Sequence, residues 1–133
     1  MKFYISIFSN IVIDEENQTV IQEWTDETEE MTADEFKKDM LQLADAYEEY
    51  KPKRVLILQN NFKFIVISEL QSWTANNIGI KLEQVKAEKI AFVVSDDIFA
   101  SVSVKQTMEE KPGSKIIIRY FDEESEAVKW LYS

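Results

Sequence analysis

The chain has 133 residues, 45% hydrophobic and 30% charged, with two Gly and two Pro; these values fit one globular domain over residues 1–133 and exclude a disordered or low-complexity chain. It has no Cys and no His, which excludes disulfides and thiolate chemistry and removes the side chains best suited to proton transfer near neutral pH. The net charge of −10 comes from residues 1–50, which carry 14 acidic and 3 basic side chains and would repel phosphate backbones and anionic lipids.

These properties predict a class of protein. No apolar run approaches the ~20 residues that a membrane helix needs, and no signal-peptide cleavage pattern is present. We therefore expect a cytoplasmic protein that is not an enzyme, needs no cofactor or metal, and binds neither nucleic acid nor membranes. A basic protein partner would suit the acidic first third, although an acidic surface most often serves solubility alone.

The first 24 residues have the pattern of antiparallel strands. Apolar side chains alternate over residues 3–8, residues 11–13 lead into an acidic turn, and a second strand-like segment runs over residues 19–24. These residues predict two or three antiparallel strands.

The next segment predicts a long amphipathic helix. Thr32 can cap the Glu35 amide while the Glu35 side chain reaches back, and Pro52 ends the run. The apolar residues recur at spacings of three and four and so share one face: Phe36, Met40, Leu43, Ala44 and Tyr47.

A buried strand and a second helix follow. Residues 55–58 form an unbroken apolar run, as in a strand covered on both faces, and Asn60 and Asn61 form a loop. The segment 68–71 has a second capping-box pattern, which predicts a helix that begins at Ser68 and ends near Gly79.

The last third continues the alternation of strands and helices. Residues 89–94 predict a strand, Asp96–Asp97 cap a helix that runs through Met108 to Pro112-Gly113, and residues 116–118 predict another strand. Asp122 then caps a final helix, whose inward face holds Ala127, Trp130 and Leu131. The order predicts an α/β fold with a mixed sheet: N-terminal antiparallel strands, then α-β-α-β-α-β-α with helices packed on the sheet.

Three segments resemble the STAS domain family, and most closely its SpoIIAA-like, or STAS/SEC14-like, stand-alone bacterial proteins. They are Leu56-Ile57-Leu58 with Phe64 to Leu70, Lys89 to Val104, and Arg119 to Leu131. The resemblance implies a non-enzymatic domain used in protein partner switching or, in some branches, in binding small apolar or nucleotide-like ligands.

The resemblance also implies a site. Ser68 matches the position that carries the regulatory phosphate in anti-sigma-factor antagonists, whereas its place in the chain predicts an ordinary helix cap. The surface for a partner or ligand would comprise Asn60, Asn61, Phe62, Phe64, Gln71 and Trp73.

Three functions follow as hypotheses. The first is a module that binds a protein partner around the loop and helix of residues 60–73, with a homodimer as a further option. The second is a carrier whose Phe62, Phe64 and Trp73 line a pocket of a few hundred Å³ for a small apolar ligand. A solid core with an exposed apolar patch would favour the first, and a buried cavity the second. The third is an enzyme that uses Asp96–Asp97 with Mg²⁺, although a capping role suits those acids better.

Overall fold

The fold is built on one six-stranded sheet whose strands lie side by side in chain order. A computed structural model describes residues 1–96, 98 and 115–133. The strands are β1 (Lys2–Ile5), β2 (Ser9–Asp14), β3 (Thr19–Trp24), β4 (Arg54–Leu58), β5 (Lys89–Val93) and β6 (Ile117–Phe121). The helices are α1 (Ala33–Tyr50), α2 (Ser68–Thr74), α3 (Ile80–Gln84) and α4 (Glu124–Leu131), with a 3₁₀ turn over Asp26–Glu30 and a π turn over Ala75–Gly79.

The sheet is mixed. β1, β2 and β3 pair antiparallel, whereas β3, β4, β5 and β6 pair parallel. In the parallel part Val20, Val55 and Ile90 lie side by side on neighbouring strands. This arrangement confirms the predicted α/β class and the predicted change from antiparallel to parallel pairing.

Apolar side chains fill two cores, one on each face of the sheet. The larger core joins α1, Leu70, Ile78 and Leu82 to the side chains that β2, β3 and β4 direct to that face. Successive strand residues point to opposite faces, so Leu56 and Leu58 belong instead to the smaller core under α4. In that smaller core they pack with Ala91, Val93, Ala127 and Leu131.

The start of α1 confirms the predicted capping box. The Glu35 backbone N–H donates to Thr32 Oγ1 at 3.2 Å, and the Thr32 N–H donates to Glu35 Oε1 at 2.9 Å. Met31 and Phe36, which flank the cap, are both buried in the larger core. Lys51 ends the helix in the left-handed conformation, one residue before Pro52.

A buried carboxylate ties α1 to the N-terminal strands. Asp39 accepts hydrogen bonds from three hydroxyl groups: Tyr4 at 2.9 Å, Ser6 at 2.6 Å and Ser9 at 2.8 Å. Asp39 and Ser9 are both buried. Because these donors satisfy the oxygens of Asp39, α1 can bury this side chain against the strands, and Asp39 belongs to neither ion pair found among the described residues.

Two predicted helix boundaries are wrong. The second helix does not end near Gly79: it passes through the π turn and α3 to Gln84. Gly79 has a right-handed φ of −58°, so nothing there requires glycine, and continuing the helix buries Leu82 beside Ile78. The final helix begins at Glu124 with Glu123 at the N-cap, and no side chain caps it, so Asp122 is not its cap.

The predicted helix from Asp96 to Met108 and its closing Pro112-Gly113 turn lie outside the described residues, apart from Asp96 and Ile98. Asp97 is likewise outside them. In the described part of the chain, no helix combines the length and the apolar character needed to cross a membrane.

Candidate interaction site

Four aromatic rings close the larger core at the end of the sheet where β3 and β4 finish. The Phe62 ring meets Trp24 edge-on with centroids 5.0 Å apart, and Phe64 stacks on Phe36 at 5.2 Å. Trp24 and Phe36 stack on each other at 6.0 Å. Phe62 and Phe64, predicted as surface or pocket residues, therefore pack on the core.

The two aromatic residues belong to a segment that alternates like a strand. We call residues 61–67 the rim segment. Phe62, Phe64 and Val66 are partly buried against the larger core, whereas the residues between them are exposed. The exposed fraction is 81% for Ile65 and 54% for Ile67. Two large apolar side chains therefore project from this edge into solvent.

Part of the rim segment backbone is hydrogen-bonded: the Phe62 N–H donates to the Gln59 carbonyl at 3.1 Å, and the Gln71 N–H donates to the Ile67 carbonyl at 3.0 Å. The Lys63 N–H donates to Thr28 Oγ1 at 2.8 Å, and the Val66 carbonyl accepts from Gln71 Nε2 at 3.0 Å. Among the described residues, the N–H and C=O groups of Phe64 and Ile65 make no hydrogen bond. The segment has the side-chain alternation of a strand, and no strand of the described part of the chain pairs with it.

The Thr28 contact places the rim segment beside a strongly acidic surface. Thr28 is buried in the 3₁₀ turn Asp26–Glu30, and the other four residues of that turn are exposed acids. Asp34 and Glu35 follow in the first turn of α1, so residues 26–35 hold six acids and no base. The two ion pairs found among the described residues, Lys53–Glu88 and Lys81–Glu48, leave these acids unpaired.

Ser68 stands at the end of the rim segment, and the capping prediction for it is wrong. Ser68 is the first residue of α2, Ile67 occupies the N-cap position, and no side chain caps this helix. Gln71 donates to the Val66 carbonyl instead of completing a capping box. Ser68 is exposed. Its hydroxyl is therefore accessible, and the prediction of a phosphorylated Ser68 stays a prediction.

The remaining predicted site residues surround the rim segment. Asn60 and Asn61 are exposed at its start, and Gln71 is exposed on α2. Trp73 is partly buried, with the Lys37 ammonium 5.5 Å from its ring centroid. The structure thus gathers the predicted residues along one edge, with Trp73 and the two phenylalanines serving as its packed base.

Two surface cavities lie elsewhere, on the face of the antiparallel strands that α1 does not cover. One of about 130 Å³ is bordered by Lys2, Ile5 and Glu23, and another of about 400 Å³ by Met1 and Asp14; Val12 and Ile21 border both. Neither is lined by Phe62, Phe64 or Trp73.

Sequence reasoning missed the residues that define this edge: Ile65, Ile67 and Thr28. The signal for the first two was present: residues 61–64 alternate between polar and aromatic side chains, and residues 64–67 are an unbroken apolar run directly before the helix. The contact of Thr28 with Lys63 joins residues 35 positions apart and has no local signal.

The described residues include no group of three or more acidic side chains close enough to hold a metal ion. Comparison with known proteins finds no matching family model, no similar curated protein and no similar solved structure.

Proposed function

We propose that this chain is a STAS-like module that binds a protein partner through the rim segment and the start of α2, as part of a bacterial regulatory pathway. The observation that carries the proposal is the pair of exposed side chains, Ile65 and Ile67, on a segment whose other face is packed on the core. Contiguous exposed apolar side chains rimmed by polar residues are typical of interaction surfaces.

The packing beneath the segment favours a partner protein over a small ligand. A carrier would need an open space under Phe62, Phe64 and Trp73. Instead, Phe62 and Phe64 contact Trp24 and Phe36 at centroid distances of 5.0 to 6.5 Å, which fills that position with aromatic rings. The absence of His and Cys supports binding over catalysis.

The test is capture of partners from the source cells with Ile65→Asp beside the wild type. Ile65 is exposed, so an aspartate there should leave the fold intact while placing a charge in the apolar contact. We expect the captured partner to be lost, and matching thermal denaturation curves would show that both proteins are folded.

Ile5→Asp is the matched control. Ile5 is 62% exposed and borders a cavity on the face of β1–β3 opposite the larger core on which the rim segment packs. The control should retain the partner. If Ile5→Asp loses the partner while Ile65→Asp retains it, the interface lies on that other face and the proposal is wrong.

A further inference from the structure

We infer that the rim segment receives an extended, basic segment of the partner by β-strand addition. This inference rests on the proposed function, because it specifies how the same surface would recognise its partner. The partner would then be bound by main-chain hydrogen bonds and by charge as well as by apolar contact.

The first support is the two-residue period of the rim segment. Side chains at 62, 64 and 66 pack on the core while those at 63, 65 and 67 are exposed, as in a strand that covers a core. A partner strand beside it could place apolar side chains against Ile65 and Ile67 at the same spacing.

The second support is the backbone. Among the described residues, Phe64 and Ile65 have neither their N–H nor their C=O groups in a hydrogen bond, and the Val66 N–H has no partner either. Exposed backbone groups on a strand-like segment form a template for another extended chain. Other groups of the segment are already bonded: the Phe62 and Lys63 N–H groups donate to the Gln59 carbonyl and to Thr28 Oγ1, and the Val66 and Ile67 carbonyls both accept from Gln71.

The third support is charge, and it selects the kind of partner. The anchoring residue Thr28 lies between the exposed acids Glu27 and Glu29, and Glu69 follows at the start of α2. A segment that alternates basic and apolar residues would pair its cations with these acids and its apolar side chains with the isoleucines. A second copy of this chain would instead bring the same acidic turn toward itself, so charge disfavours self-association at this edge.

The probe is a synthetic peptide of about six residues, the usual length of a strand, in which valine and lysine alternate. Amide hydrogen exchange of the full chain is followed by NMR with and without this peptide. We expect the amides at 64, 65 and 66 to exchange rapidly in the free protein. With the peptide, protection should appear within the rim segment at alternate residues, because a strand bonds through every second residue along one edge.

Charge is tested on both molecules. A peptide in which glutamate replaces lysine should bind at least about tenfold more weakly, as should the lysine peptide to the double variant Glu27→Gln, Glu29→Gln. The matched control is Glu15→Gln with Glu16→Gln, which removes the same charge from the exposed turn between β2 and β3 and should retain the affinity.

Failure of binding by the lysine peptide, equal affinity for the glutamate peptide, or protection outside the rim segment would each overturn the inference. These outcomes are separate from the proposed function. If Ile65→Asp still loses the cellular partner while the peptide protects no rim amide, the interface stands and strand addition is wrong. If Ile65→Asp retains the partner, the proposed function itself fails.

Discussion

At the scale of single residues, the exposed hydroxyl of Ser68 is the feature that separates a passive surface from a regulated one. Ser68 does not cap α2, and it adjoins Ile67 at the end of the rim segment. A phosphate there would add nearly two negative charges to an edge that the inference above assigns to a basic partner. Position and charge therefore allow modification to alter binding without altering the core.

Substitution of Ser68 distinguishes a modification site from a structural role. Because its side chain makes no capping bond, Ser68→Ala and Ser68→Asp should each change the free energy of unfolding by less than about 0.5 kcal/mol in urea denaturation. If Ser68 is a phosphorylation switch, Ser68→Asp should raise capture of a basic partner at least about tenfold, because it adds negative charge beside the acids that attract that partner, and Ser68→Ala should not. A loss of about 1 kcal/mol in Ser68→Ala that Ser68→Asp does not show would restore the capping role.

Gly79 gives a second test at this scale. Its φ is right-handed, and apart from the adjacent residues and the nearby backbone of its own helix, the nearest atom to a Cβ built there would be the Thr74 carbonyl oxygen at 4.0 Å. Alanine restricts the unfolded chain more than glycine does, so Gly79→Ala should raise the free energy of unfolding by about 0.5 to 1 kcal/mol. Thermal or urea denaturation measures this. A loss of stability would mean that the helix ends at Gly79 in solution, as the sequence pattern predicts.

At the scale of elements, the short helix α4 is held by apolar packing in the smaller core and by contacts with three cationic side chains. Ala127 and Leu131 are buried in the smaller core, and the partly buried Trp130 ring has the Lys89 and Arg119 cations 5.0 and 5.4 Å from its centroid. Lys89 also donates to the Trp130 carbonyl at 2.9 Å, and Arg54 donates to the Leu131 carbonyl at the same distance. Cations from β4 and β5 thus bind carbonyls in the last turn of α4, where the Trp130 carbonyl also accepts from Ser133 Oγ at 2.7 Å.

Trp130→Ala should therefore destabilise the fold by less than a fully buried tryptophan would. Core Trp→Ala changes cost about 3 to 5 kcal/mol, and partial exposure reduces this to about 2 kcal/mol, including the lost attraction of the two cations. Trp130→Phe, which keeps a ring, should cost less than half as much. Urea denaturation measures both, and a loss below about 0.5 kcal/mol for Trp130→Ala would show that the ring contributes nothing to holding α4.

The elements that sequence reasoning predicted correctly are those with strong local signals. The α1 capping box, its apolar face and the buried run of β4 were readable because each signal lies within a few residues. Ser68 begins the same capping-box pattern as Thr32, yet its side chain does not cap the helix that follows. There the extended conformation falls on Ile67, and the Gln71 amide bonds to the Ile67 carbonyl. Local sequence preference does not distinguish Ile67 from Ser68 as the N-cap of α2. We attribute the choice of Ile67 to the packing of Leu70 and Phe64 in the larger core.

The location of the candidate site in the fold could be predicted from the sequence, but the arrangement of its side chains could not. Its residues could be assigned to one edge from their order along the chain. Which rings turn inward depends on Trp24 and Phe36, which reach the rim segment from other elements. The acidic turn beside it depends on the hydrogen bond from Lys63 to Thr28, which no local pattern encodes.

At the scale of the whole molecule, charge should oppose folding at low ionic strength. The net charge is −10, and the two ion pairs found in the described part of the chain are both at the surface, so they offset little of the repulsion within residues 1–50. Screening should relieve this repulsion.

We therefore expect thermal stability to rise as NaCl is increased from about 0.02 to about 0.2 M, over which the screening length falls from roughly 20 to roughly 7 Å. Scanning calorimetry measures this, with the acid-neutralised variant Glu27→Gln, Glu29→Gln as a comparison that should show a smaller rise. Partner capture should weaken over the same range. A melting temperature that does not change with salt would mean that the acidic surface costs the fold nothing.

The order of the strands has a consequence for how the chain acquires its structure. Each strand that the structure describes pairs with the strands next to it in the sequence, so the sheet can be extended in chain order. The β1–β3 meander can form from the first 24 residues, and each later strand extends an edge that already exists. Synthesis proceeds from the N-terminus, so the sheet can grow in step with elongation. The antiparallel pairs β1–β2 and β2–β3 are local, whereas the parallel pairs join residues 28 to 35 positions apart, as in Lys89–Ile117 and Thr19–Arg54, so the parallel part of the sheet should form more slowly.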